Sequence, residues 1–437
     1  MNALLRRLGC HDVQPESVEE KVLWHCILWT YGYYVLGALY VLAPVVGWVL
    51  VVRMGRRSGL AEVPAAVWGW VAGMVVMLIA LLVAYADFDM GLAALVKSSI
   101  GWAKGWALIA IFMVIGCGQV RLEVLARAAS LLGIQTLCIL PLVIFAWAAG
   151  LPGHLYVSPV SLVGGPGPEY FAFELYGISP DNGMPRWRLF APWAPAIGMV
   201  MCVYALLAMN ERNLLLRWVG IFGMLASILL SSSRLGLMAL PLTAGIAWLL
   251  RNLTRPALMF ACAPLALLGG IVLQPVLDLY EQAVHGFHGA RADSSRVRAT
   301  LGRIAVQRWQ NEAPVWGHGT VERGPHLVEY MPIGSHHTWF GLLFVKGIVG
   351  AAALALPMLW TLLALLPQAS RSPAGRTALS LLLLMFLYTF AENLEILAYL
   401  IWPAMVVIGM ALREAAAHCR LPAAEPPPPD SQELVTA

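Results

Sequence analysis

His336 and His337 stand side by side where a long polar stretch runs back into apolar sequence. Imidazole titrates near neutral pH, so a histidine at such a boundary is suited to taking a proton from a hydroxyl. Seven of the ten histidines lie in or beside two polar stretches, Gly150–Arg188 and Val276–Ser335. The second is rich in arginine and holds no lysine. Guanidinium forks grip phosphate oxygens two at a time, whereas a merely solvated face ordinarily mixes in lysine. A proton acceptor beside such cations, at a membrane boundary, points to chemistry on a lipid-linked anion. The alternative is structural, with the histidines hydrogen-bonded at a helix start.

The elements that position these groups are apolar helices. Of the 437 residues, 60% are hydrophobic and 12% charged, far from the soluble range. Runs of about 20 apolar residues recur, each long enough to cross a bilayer as a helix. The expected fold is all-α and polytopic, with about twelve spans. Val22–Val52 divides near Gly37 into a hairpin; Ala65–Ala86, Ile100–Gly118, Ala126–Ala149, Leu189–Met209, Trp218–Ser232 and Leu235–Leu250 follow. Pro256–Pro275, Trp339–Leu366, Ala378–Ala391 and Ile396–Leu412 complete the set.

Residues 1–21 form an N-terminal segment, 22–412 the transmembrane body and 413–437 a tail whose four consecutive prolines predict disorder. Arg53, Arg56, Arg57, Arg121, Arg127, Arg212, Arg217, Arg251, Arg255, Arg371 and Arg376 fall on one side of that arrangement. This side, with both termini, is expected to be cytoplasmic, so the two long loops face outward. None of the seven cysteines lies in those loops, so disulfides do not staple them. The net charge of +4 gives no ground for a nucleic-acid partner.

Within the second loop, Ser294–Gln310 has helical periodicity, with Val297, Leu301 and Ile304 on one face and Arg296, Arg303 and Gln310 on another. It reads as a phosphate-binding helix or as one lying on the membrane with arginines among headgroups. A tight turn, Gly317-His318-Gly319, follows. Gly334-Ser335-His336-His337-Thr338-Trp339 then opens a helix, with Ser335 placed to cap it and Trp339 to anchor it at the interface. Lys346 sits about 15 Å further in and needs an acidic partner, Glu392 or Glu395. Arg234 stands at the outer end of a span, snorkelling or functional. Asp87-Phe88-Asp89 reads as a solvated turn rather than a metal cage.

The order of these segments resembles the O-antigen ligase and polymerase superfamily, chiefly over Arg186–Gly350. APVWGHG followed by GSHHTWFGLLFVKGIVG is similar to the family's HPxxGxG, its histidine pair and its GxxG. His336 falls on the family histidine, and His337 where the family usually carries Asn, Ser or Gln. SSSRLGLMAL with Arg234, Asp293-Ser294-Ser295-Arg296 and RWRLFAPWAPA with Arg188 resemble three further family segments. Lys346 replaces a family acidic residue, and the Pro-Asn pair expected after Arg188 is missing.

The resemblance implies a glycosyltransferase-C-like fold in a bacterial inner membrane, with the site facing the periplasm. It implies metal-independent transfer of a glycan from undecaprenyl diphosphate to a hydroxyl of lipid A–core, with no cofactor. His336, or its neighbour His337, would be the base, while Arg188, Arg234 and Arg296 would clamp the diphosphate. Arg186, Arg303, His318 and Glu392 are secondary candidates. A single base and no paired nucleophilic carboxylate favour inversion in one displacement. A polymerase or a protein-glycosylating relative would use the same donor. A transporter would need polar residues deep in several spans, and apart from Lys104 and Lys346 these spans are clean.

Overall fold

The computed structural model describes residues 13–57, 60, 63–179, 183–252, 255–256, 258, 260, 264 and 292–420. The expected span Pro256–Pro275 lies outside the described residues apart from isolated positions, as do Val276–Arg291 and the tail from Leu421. The protein is an all-α polytopic membrane protein. Among the described residues, seven helices are long and apolar enough to cross a bilayer, and three shorter apolar helices accompany them.

Helices α1 (Val18–Leu28) and α2 (Thr30–Val35) run out to a turn at Gly37, and α3 (Leu39–Arg56) returns. Gly37 has a φ of 64°, where a side chain would also collide with Ser158, which explains the division of the opening apolar run there. Helix α4 (Ala65–Asp87) ends in the exposed Asp87–Asp89 turn. The run expected as a span from Ile100 lies in one span, Leu92–Gly116, which is built of two helices, α5 (Leu92–Lys104) and α6 (Trp106–Gly116), parted at Gly105. Glu395 crowds that glycine so closely that a Cβ would sit 2.5 Å from its Cγ. Helix α7 (Leu122–Ala148) follows.

The first long loop holds two short 3-10 helices, Pro159–Val163 and Pro168–Tyr170. It also folds as two antiparallel strand pairs, β1 (His154–Val157) with β2 (Ala172–Glu174) and β3 (Gly177–Ile178) with β4 (Pro185–Arg186). Three apolar helices come next: α8 (Ala194–Ala208), α9 (Leu214–Leu230) and α10 (Arg234–Asn252). The span expected from Leu189 becomes helical only at Ala194, after the proline-bearing turn at Pro192. Helix α11 (Ala292–Glu312) lies in the second loop, followed by α12 (Thr338–Arg371), α13 (Pro373–Tyr388) and α14 (Leu394–Arg420).

Helices α6 and α14 form the centre. Every residue of α6 is buried, and Phe112 stacks on Trp402 at 5.1 Å. Lipid supplies little hydrophobic drive between helices, so close packing must hold them together. Gly116 and Gly409 permit it: a Cβ on either would lie 2.0 Å from a carbonyl of the opposing helix.

The short arginine-bearing turns gather at one end of the bundle. There Arg127 and Glu211 form a buried two-point ion pair at 2.6 and 2.9 Å, and Arg121 pairs with Glu20 at 2.8 Å. The long loops gather at the other end, where Tyr34 of α2 donates to the Glu174 carbonyl of β2.

Candidate active site at the loop end

Helix α11 does not lie out on a lipid surface. Val297, Leu301 and Ala305 bury themselves with Val328, Ile333 and Phe344, so the apolar stripe packs on the start of α12. A Cβ on Gly302 would press on the Phe340 ring at 2.7 Å, which shows how closely the two helices meet.

The Pro314–Gly319 turn is threaded into α12 itself. At Gly347 the helix breaks, with φ 62° and ψ −165°. The turn supplies the hydrogen bonds that the break removes. His318 and Gly319 donate their backbone N–H groups to the carbonyls of Phe344 and Val345, both at 2.8 Å. The N–H groups of Ile348 and Val349 donate to Pro314 and Val315 at 3.0 and 3.3 Å. Irregular backbone at membrane depth survives only when its polar groups are satisfied this way. The two motifs, well separated in sequence, are one interlocked unit.

That lock consumes His318. Its Nδ1 lies 2.9 Å from the Phe344 carbonyl and its Nε2 2.8 Å from the Glu312 carboxylate, with the ring stacked on Phe344. Arg308 grips the same Glu312 and also Glu322. Hydrogen bonds from Arg308 and His318 hold the Glu312 carboxyl down at about 2. His318 is a fastener for the loop rather than a group free to touch substrate.

The two neighbouring histidines have different tasks. His337, not Ser335, is the N-cap of α12: its Nδ1 accepts from the Phe340 N–H at 3.3 Å. Its ring stacks on Phe340 at 3.9 Å and meets Phe390 edge-on. Among the described residues the ring of His336 has no hydrogen-bond partner. Burial first, then the cation of Arg298, depress His336 to about 4, so its pKa does not lie near neutrality. Burial alone brings His337 to about 4. Both rings are therefore neutral at pH 7, and because His337 spends its acceptor nitrogen on the Phe340 N–H, His336 is the one available to accept. The Trp339 indole N–H donates to the Thr389 hydroxyl at 2.8 Å.

Glu392 completes the cluster from the turn between α13 and α14. Thr338 ties this turn to α12, donating its hydroxyl to the Glu392 carbonyl at 2.6 Å and accepting from the Leu394 N–H at 3.1 Å. The Glu392 carboxyl is 1% exposed. It accepts from the Trp193 indole at 3.0 Å through Oε2, while Oε1 has no partner among the described residues. Burial raises it to about 7, opposed by Arg298 and by the Trp193 hydrogen bond. Arg298 thus acts on both His336 and Glu392, a role that the periodicity of α11 did not single out.

The remaining arginines divide. Arg188 pairs with Glu174 and donates to the Pro192 carbonyl at 2.6 Å, which fastens the first loop to the entry of α8. Arg186 reaches the Ser231 carbonyl at 3.4 Å, beside the turn that carries Arg234. Arg234, Arg296 and Arg303 are exposed, and Arg303 donates to Thr300 at 3.1 Å. Lys346 and Glu395 face one another closely enough for their charges to interact, which supplies the partner expected for that lysine.

Helices α8, α10, α12 and α14 are among those that begin at this end, and their N-termini carry the positive end of the helix dipole, which favours an anion. The result is a cluster of a neutral imidazole, a buried carboxyl with one unpartnered oxygen and a nearby cation. Such a cluster suits transfer of a group that leaves as an anion, with a proton taken from the incoming nucleophile. No known family model and no curated protein matches the chain.

Proposed function

We propose that the protein is a glycosyltransferase that moves a glycan from a lipid diphosphate to a hydroxyl on a second lipid, as an O-antigen ligase does. The observation that carries this reading is that the start of α12 with His336, the Glu392 turn tied to it by Thr338 and the docked helix α11 with Arg298 meet at the loop end of the bundle. The ordered motifs that resemble the O-antigen ligase and polymerase superfamily add to it. On this reading the fold is glycosyltransferase-C-like with twelve spans in a bacterial inner membrane. Both termini are cytoplasmic, the site is periplasmic and no metal is needed.

The acceptor hydroxyl oxygen attacks the anomeric carbon of the donor. The bond from that carbon to the phosphate oxygen breaks, its electron pair leaves with undecaprenyl diphosphate, and the hydroxyl proton passes to His336. Arg298, with Arg234 and Arg296 on the rim, offsets the charge that grows on the leaving group. The donor also activates its own base. A bound diphosphate cancels the repulsion from Arg298 that depresses His336, so the imidazole becomes more basic when substrate is present. Single displacement inverts the anomeric centre.

The test is incubation of the purified protein with lipid-linked O-antigen and lipid A–core in the presence of EDTA. A glycosylated lipid A–core product supports the ligase. A lengthened lipid-linked donor moves the reading to a polymerase.

A further inference from the structure

A recess whose lining does not include His336 opens on the side of the bundle. It is a cleft of about 490 Å³ between α5, the Gly164–Pro166 segment of the first loop and the broken part of α12. Lys97 and Lys104 line it from α5, and Lys346 and Glu395 from the bundle side. None of the residues of α5 is buried, and a Cβ on Gly101 would meet nothing within 4 Å. Ser98 and Trp102 tether the helix to α4, yet its cleft-facing side stays unfilled.

Charge in the cleft is unbalanced. Lys346 and Glu395 answer each other. Among the described residues no carboxylate pairs with Lys97 or Lys104. Lys104 donates only to the Gly164 carbonyl, at 3.3 Å, and lies over the Tyr40 ring. Two cations without counter-ions on a membrane-facing helix are costly unless an anion joins them. Lysine serves as a point charge for phosphate. The two lysines are seven residues apart, which sets their Cα atoms about 10 Å apart along α5. On the same helix Leu92, Val96 and Ile100 are exposed, an apolar wall alongside which acyl chains can lie.

We propose that this cleft is the docking site of the acceptor, a glycolipid that carries two phosphates, with Lys97 and Lys104 each taking one. The spacing of the lysines matches two phosphates on one headgroup better than the single phosphate of an ordinary phospholipid. This assignment rests on the proposed transferase reading, and binding can be measured without transfer.

The full-length protein, purified in neutral-lipid nanodiscs, is titrated with bis-phosphorylated lipid A and with its enzymatically dephosphorylated form. The phosphorylated lipid is expected to bind at least about tenfold more tightly, since each phosphate contact is charge-assisted. K97Q/K104Q is expected to abolish that preference and K97R/K104R to keep it, with elution on gel filtration unchanged. In the transfer assay K97Q/K104Q raises KM for the acceptor and leaves KM for the donor unaltered. Equal binding of both forms, full preference in K97Q/K104Q, or equal competition by phosphatidylglycerol would overturn the proposal. Lysine-dependent binding in a protein that transfers no glycan would keep the site and sink the transferase reading instead.

Discussion

Gly317 and Gly347 meet backbone to backbone. A Cβ on Gly317 would lie 2.4 Å from the Lys346 nitrogen, and one on Gly347 2.1 Å from the Val315 carbonyl oxygen. Both residues also have positive φ, 72° and 62°. Alanine at either position adds a collision to a strained backbone, so Gly347→Ala should cost at least about 1–3 kcal/mol. The unfolding midpoint in detergent checks this; a midpoint equal to wild type would contradict the interlock.

His318 closes the same lock from the side. His318→Ala removes the side-chain contacts to Glu312 and to the Phe344 carbonyl at once, leaving only the backbone N–H of residue 318 on that carbonyl. The loop helix should then detach more readily, by about 1–3 kcal/mol. Limited proteolysis between residues 313 and 337 should accelerate while the membrane core stays intact. Unchanged cleavage would argue that His318 is not a fastener.

His337 caps α12, and this accounts for its place in the sequence pattern. Of the residues that the resembling family carries there, Asn, Ser or Gln, the first two are among the best N-cap residues. His337→Asn should therefore keep stability and transfer, whereas His337→Ala should lose about 1 kcal/mol of stability. A thermal melt of the two variants side by side distinguishes them. If the asparagine variant were inactive yet folded, His337 would have a chemical role.

The buried titratable groups set opposing pH dependences. His336 and His337 fall from an ordinary 6.5 to about 4, so between those values the unfolded chain binds more protons. Their contribution is fully present above pH 6.5 and is lost as pH falls toward 4. Glu392 rises from 4.5 to about 7, so its contribution is present below 4.5 and lost as pH rises through 7. Two histidines outweigh one carboxyl, and stability should decline on acidification from pH 6.5. His336→Gln with His337→Asn should flatten that decline and Glu392→Gln should steepen it, as read from melting points across a pH series. The reverse pattern would show that these groups are solvated.

The polytopic helical body, the hairpin at Gly37 and a helix in the second loop were all legible in the sequence, because apolar length, a turn glycine and amphipathic period are local signals. What depended on tertiary contact was not. Arg296 and Arg298 are two residues apart on one helix, and only the docking of Val297 and Leu301 on α12 decides which guanidinium acts on His336. Arg188 looked free for phosphate until the first loop brought Glu174 to it. The break at Gly105 answers to the crowding of Glu395, nearly three hundred residues away in sequence.

Arg298→Gln separates electrostatics from scaffolding. Loss of a cation aimed at the leaving group should reduce kcat about 100-fold. The acid limb of the rate profile should also move to higher pH, because the repulsion that depresses His336 is gone. A fall in rate with the acid limb unmoved would mean that Arg298 only positions the loop.

The central claim is that His336 takes the proton during glycan transfer. Its most direct test is the transfer assay with EDTA, run on wild type, His336→Ala and His337→Asn, each shown to be folded. Wild type and the asparagine variant should glycosylate lipid A–core, while His336→Ala should lose about 10²–10⁴-fold in rate. Near-normal transfer by His336→Ala, or no product from wild type with donor and acceptor verified, would contradict it.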